Sequence, residues 1–150
     1  MNNQPSTQKL LIGWASADIT PDKPVLLAGQ FFTRVSEGVM DPITVTALAL
    51  ESLTDGKPSG QAVMLSCDVV SIPDGLLNAV RAQSQKILPE LDPQNVFLNA
   101  THTHAGPELR MEQDTLRTGG GNVPPPIGVS REELNVMDPA AYVAFAVQRI

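Results

Sequence analysis

The stretch Gln61–Val70, QAVMLSCDVV, is a nearly continuous apolar run that ends close to an acidic residue, Asp68. A run of this length without polar alternation suits a central strand. Pro73 and Asp74 then open DGLLNAVRAQSQKILPELD, where Leu76, Leu77, Val80, Ser84, Ile87 and Leu88 recur at helical spacing until Pro89 disrupts the pattern. NVFLNATHTH, Asn95–His104, supplies a second buried strand. Strand, helix and strand with short connections form a βαβ unit, with parallel strands and a right-handed crossover. The fold class is therefore α/β: a mixed or parallel sheet with flanking helices and a βαβ unit that carries the THTH motif at a strand end.

Upstream, KLLIGWASADITP reads as a strand leading into a turn at Thr20-Pro21, and DPITVTALALES as a clearer alternating strand. In the latter Ile43, Val45, Ala47 and Ala49 share one face; Thr44, Thr46, Leu48 and Leu50 share the other, which turns apolar toward its end. Burial on both sides is expected for part of its length. Asp55–Gly60, DGKPSG, reads as a turn, and Gln113–Ser130, with its glycine and proline runs, as a long surface loop. Its GGG lacks the GxGxxG spacing and the strand-to-helix setting of a phosphate cradle. Asp138 and Pro139 make a good N-cap and first position for a last helix, which runs through Tyr142, Phe145, Ala146, Arg149 and Ile150 without a stop signal.

The 150 residues suffice for one domain with a core, and an apolar share of 42% is ordinary for a globular protein. A formal charge of −6 and the lack of any Lys/Arg cluster argue against a nucleic-acid partner. One cysteine, Cys67, excludes an intrachain disulfide, and it faces the opposite side of its strand from Asp68 as a core thiol. No segment has transmembrane length and the start has no signal-peptide pattern, so the chain as written reads as cytoplasmic. The unstopped last helix leads us to read residues 1–150 as the N-terminal portion of a larger catalytic domain, with residues 1–8 as a flexible N-terminus. The piece alone is expected to be inactive, with Tyr142, Phe145 and Ile150 short of a partner surface.

Both histidines of the chain, His102 and His104, lie in NATHTHAGPE. On an extended segment residues i and i+2 face the same side, roughly 6.5–7 Å apart. In open α/β sheets ligands gather at the carboxyl ends of strands, and the βαβ unit brings Asp68 to the same edge. Zinc is the metal that suits imidazole donors, although two histidines do not complete a site. Asp68 has three readings: a metal ligand, a partner fixing an imidazole tautomer, or a strand-end residue satisfying backbone N–H groups; the last two are preferred. A pair of structural histidines in a noncatalytic binding module is the simplest competing reading.

Three segments, IGWASADITP, SCDVVSI and above all NVFLNATHTHAGPE, resemble in order and spacing the N-terminal catalytic domain of neutral/alkaline (non-lysosomal) ceramidases. The likeness spans about Leu11 to Pro107. It implies a zinc-dependent amidohydrolase that cleaves the N-acyl bond of ceramide to sphingosine and a fatty acid. By motif, His102 is implied as a zinc ligand and His104 as a catalytic residue beside the metal; Asp68 keeps the supporting role read from its place at the strand end. The family's second histidine, glutamate and tyrosine ligands, catalytic serine and substrate-binding arginine are implied to lie further along. The resemblance admits a secreted protein, and a lipid-amide substrate admits transient contact with a membrane surface. Met40 replaces a common histidine, and Glu108-Leu109 a common Gly-Gly, so another amide or ester is a second candidate substrate.

Overall fold

A computed structural model describes residues 6–30, 32–109 and 133–150; the loop expected over 113–130 lies outside them. Four strands form one sheet in the order β1 (Gln8–Asp18), β2 (Thr44–Thr54), β3 (Lys57–Cys67) and β4 (Val96–Ala100). The first three make an antiparallel meander, and β4 lies parallel to β3. Helix α1 (Asp74–Ile87) and a single 3-10 turn at Pro93–Asn95 connect β3 to β4, completing the expected βαβ unit. Helix α2 is Pro139–Val147, with both the Ala140 and Ala141 N–H groups donating to the Asp138 carboxylate. The sheet is thus mixed, and the chain is α/β.

The register of β3 against β4 decides where everything else lands. Val63 pairs with Val96 and Cys67 with Ala100, so both strands finish side by side. The β2–β3 turn is tighter than the six-residue DGKPSG suggested. Only Asp55 (φ 52°) and Gly56 (φ 78°) turn, and Lys57 already pairs with Thr54. Positive φ at both central residues is what a two-residue hairpin with the sheet's own twist requires, and Asp-Gly supplies it. Pro58 is tolerated in β3 because β4 begins pairing only at Val63, which leaves this part of β3 with one neighbour. At the other side of the hairpin Thr7 N–H donates to Asp55 and Gln8 pairs with Thr54, so the expected flexible N-terminus is tied down by residue 7; residues 1–5 lie outside the described part.

The core sits on one face of the sheet. Val45, Leu65, Cys67 and Val96 point toward Leu76 and Val80 of α1 and toward Tyr142, Val143 and Ala146 of α2. Tyr142, expected to be short of partners, is 1% exposed and donates its hydroxyl proton to the Ile19 carbonyl at 2.7 Å. Ile87 and Leu88 extend the sequence periodicity but are exposed, bordering an open groove against Leu11, Leu50 and Ala62 of the sheet. The opposite face carries a row straight across the sheet, Trp14, Leu48, Met64 and Phe97. On this face Leu48 and Leu50 of β2 are half-buried, in keeping with the partial two-sided burial expected of β2, whereas the two-sided burial expected of β4 is not seen among the described residues: Phe97 is 49% exposed, as are its neighbours in the row, Met64 at 46% and Trp14 at 85%. Both helices lie on a single side, and one layer covers one face.

Two outcomes follow for the 150-residue chain. Its only tryptophan, Trp14, is expected to show the emission of water-exposed indole and full quenching by acrylamide; blue-shifted, protected emission would contradict the open face. Cys67 is expected to resist thiol reagents until unfolding, since burial pushes its thiol from 9.0 up to about 11. With a raised folded value the folded chain keeps a proton that the unfolded chain releases, so stability present below pH 9.0 should fall as pH rises toward about 11. Burial raises the Tyr142 phenol in the same direction. Urea melts across this range should show the decline, with a shallower slope in Cys67→Ala.

Candidate active site

Asp68 follows β3 and the histidines follow β4 at the same carboxyl edge, where His102 and His104 touch each other and Asp68 turns to Thr44; the main chain explains how. Beyond the last strand pair, Thr101 N–H donates to the Cys67 carbonyl at 2.9 Å and His102 N–H to that of Val69 at 3.0 Å. The second bond makes the chain follow Val69 around the sheet edge instead of running straight on. To do so His102 takes φ 65°, in the left-handed region. Such a residue costs on the order of 1–3 kcal/mol, and histidine is among the side chains that adopt it most readily. The extended geometry expected for THTH is thus replaced by a turn that starts after Ala100.

The turn still brings the two rings to one side, and closer than a strand would. Their centroids are 4.9 Å apart with planes at 81°, and the two Nε2 atoms stand 3.3 Å from each other. His102 Nδ1 lies 2.7 Å from the Val70 carbonyl. A carbonyl only accepts, so Nδ1 carries the proton and a neutral His102 presents a bare lone pair at Nε2. A backbone carbonyl on the far ring nitrogen is the usual support of a metal-ligating histidine.

Asp68 plays a different part. Its Oδ2 accepts from both the N–H and the hydroxyl of Thr44 at 2.9 Å, while Asp68 N–H donates to the Thr44 carbonyl at 2.9 Å. The carboxylate closes the end of β2 onto β3. The ring of His102 is held by Val70 instead. Gly106 is small for the same reason: a Cβ there would stand 3.0 Å from the Asp68 carbonyl oxygen and 3.4 Å from Val69 Cα.

Sequence reading missed the segment from Pro24 to Ser36, which shows no periodicity but backs the histidines. Leu26 bridges Val35 and Leu27 bridges Pro107, with Ala28 N–H donating to Gly106 at 3.0 Å and Glu108 N–H to Leu26 at 2.8 Å. Gly29, at φ 89°, lies so near His104 that a Cβ would fall 2.6 Å from the ring's Cγ. A glycine beside NATHTH is legible; its partner across more than seventy residues is not. The Thr103 and Ala105 side of the segment borders a groove of about 680 Å³ with Thr20, Pro42, Asp68 and Pro107. The largely apolar groove of about 500 Å³ lies at the other end of the sheet, between Leu11, Leu50, Ala62 and the Ile87–Leu91 stretch.

Zinc can be tested against this donor set. The Val70 carbonyl leaves the Nε2 lone pair of His102 bare, which suits one zinc ligand, and His104 Nε2 stands 3.3 Å from that atom, beside where the ion would sit. His102 fits as one ligand of a centre. Among the described residues no group of three or more histidine, cysteine or carboxylate side chains converges to complete one.

No protein-family model and no curated protein matches the chain. Among solved structures it is similar to the neutral ceramidase from Pseudomonas aeruginosa, at 23% identity and a TM-score of 0.55 over 72% of this chain. It is also similar to a ceramidase complexed with C2, at 26% identity and a TM-score of 0.55 over 67% of this chain. In each case the match covers 16% of the other chain. The fold thus shares the likeness to neutral ceramidases that the three motifs carry.

Asp68→Ala should leave Thr44 N–H without its acceptor and destabilise the fold by about 1–3 kcal/mol. A urea midpoint shift with metal content unchanged is the expected result. Loss of metal with little change in stability would make Asp68 a ligand.

Proposed function

We propose that this chain forms part of a zinc-dependent hydrolase resembling neutral ceramidase, which cleaves the N-acyl amide bond of ceramide or a related lipid amide. The observation that carries the reading is the convergence of two imidazole Nε2 atoms at 3.3 Å, with the His102 tautomer held by Val70. The ceramidase neighbours supply the substrate class, and since the match covers 16% of their length the activity is proposed for the whole protein.

His102 would offer its Nε2 lone pair to the ion, and the Val70 carbonyl keeps that lone pair free of a proton. Zinc, when bound, lowers the pKa of water toward 7 and polarises the scissile carbonyl. His104, its ring backed by Gly29, would move a proton at Nε2. In the overall reaction water adds to the acyl carbon and the C–N bond breaks. The amine leaves with a proton and the acyl group as a carboxylic acid. Left-handed strain at His102, maintained by the fold, agrees with a functional role for that residue.

A second reading has one observation in its favour: 3.3 Å also suits a direct N–H···N hydrogen bond, with His104 Nε2–H donating to His102. Under it the histidines only close the turn, in a noncatalytic module. A different amide or ester substrate is the other alternative, and an acyl-amide substrate panel separates it.

His102→Ala in the intact protein should lower both zinc content and turnover. His104→Ala should keep most of the zinc and lose on the order of 10²–10⁴-fold in rate. Zinc stoichiometry and acyl-amide hydrolysis measured on both variants, with folding followed by circular dichroism, decide the matter. Full zinc and near wild-type rate in His102→Ala would leave the histidines structural.

A further inference from the structure

We propose that Arg34 is a positioning residue for His104, tying its main chain to the Pro24–Ser36 segment so that the imidazole stays against His102; the proposal rests on His104 being the proton-moving group. Arg34 Nη2 donates to the Ala28 carbonyl at 3.3 Å and also to the carbonyl of His104. The two acceptors flank Gly29, whose Cα lies against the His104 ring. His104 is therefore held at two points, its ring by a glycine that leaves room for nothing larger and its carbonyl by a guanidinium.

The segment that presents Arg34 is itself braced. Leu27 N–H donates to the Arg34 carbonyl at 2.9 Å, Ser36 N–H to that of Val25 at 2.9 Å, and Val25 N–H to the Ser36 hydroxyl at 2.9 Å. One limb of this small hairpin pairs with the segment after the histidines, through Leu27 and Pro107. The other limb sends Arg34 across it. A charged, planar fork suits the task, since one of its nitrogens serves two carbonyls at once.

Stability alone does not account for an arginine here. Its Nε is buried and has no hydrogen-bond partner among the described residues. A donor taken from water without an acceptor is unfavourable, and an apolar side chain of similar length would pack without that cost. The arginine's charge-assisted bond to the carbonyl of His104 is the gain that remains.

The experiment uses the intact protein with ¹⁵N-labelled histidine, comparing Arg34→Met, Arg34→Lys and Ser36→Ala. The imidazole signals are assigned from the spectra of His102→Ala and His104→Ala. Arg34→Met is expected to fold and keep its zinc, while the His104 imidazole signals shift and broaden and those of His102 stay. Its kcat on an acyl amide should fall about 10–100-fold with KM little changed, the usual range for a residue that orients an active-site group. Arg34→Lys, which keeps one charged donor, should recover part of that loss. Ser36→Ala loosens the same hairpin without touching His104 and should leave both sets of signals in place. Unchanged His104 signals and kcat in a folded Arg34→Met overturn the proposal, as does an equal effect of Ser36→Ala. Should Arg34→Met not fold, Arg34→Gln takes its place, and unchanged His104 signals and kcat in that variant overturn the proposal equally. A wild-type protein without zinc or amidase activity would defeat the hydrolase reading, while the imidazole signals would still decide whether Arg34 orders His104.

Discussion

The parallel pairing of β3 with β4 is the constraint on which the rest depends. It sets Cys67 beside Ala100, and the next two bonds, from Thr101 to Cys67 and from His102 to Val69, continue it past the sheet edge. A one-residue slip would turn Val96 outward and Phe97 inward and would carry His102 away from Val69 and Val70. The register is secured by burial: Val63, Leu65, Cys67, Val96 and Leu98 all pack on the side covered by the helices. Core packing thus places the imidazoles, although neither histidine is part of the core.

The two faces of the sheet have different characters, and the difference changes along the strands. Away from the helices, the row Trp14, Leu48, Met64 and Phe97 is apolar. The next row toward the histidines is polar, with Ser16 and Thr46 hydroxyls 2.8 Å apart and Asn99 donating to Ser66 at 3.2 Å. The polar row leads to the edge where the candidate chemistry lies. Among the described residues no helix is long and apolar enough to cross a membrane.

Much of this was legible because it rests on local pattern. The apolar run before Asp68, the helical spacing of Leu76 and Val80, the Asp138-Pro139 cap and the βαβ order together determine the class, the parallel strands and the common edge of Asp68 and His102. The inward direction of Cys67 follows from strand alternation. What was not legible depends on partners distant in sequence. T-H-T-H reads as extended, yet the bond from His102 to Val69 forces a left-handed residue into it. Arg34 and Gly29 lie in a segment with no periodicity, and their relation to His104 exists only because Leu27 meets Pro107. Ile87 and Leu88 keep the helical period but border an open groove against Leu11, Leu50 and Ala62 instead of closing onto the sheet. Tyr142 is satisfied by the main chain of Ile19, an acceptor that no pattern around it announces.

The central claim is that the sheet edge holds His102 as a ligand of one metal ion with His104 beside it, and X-ray absorption at the zinc edge tests it most directly. The intact protein as isolated should contain about one zinc per chain, with imidazole nitrogen scattering at ~2.0–2.1 Å. Protein without zinc, or a zinc spectrum without imidazole in its first shell, would contradict the account.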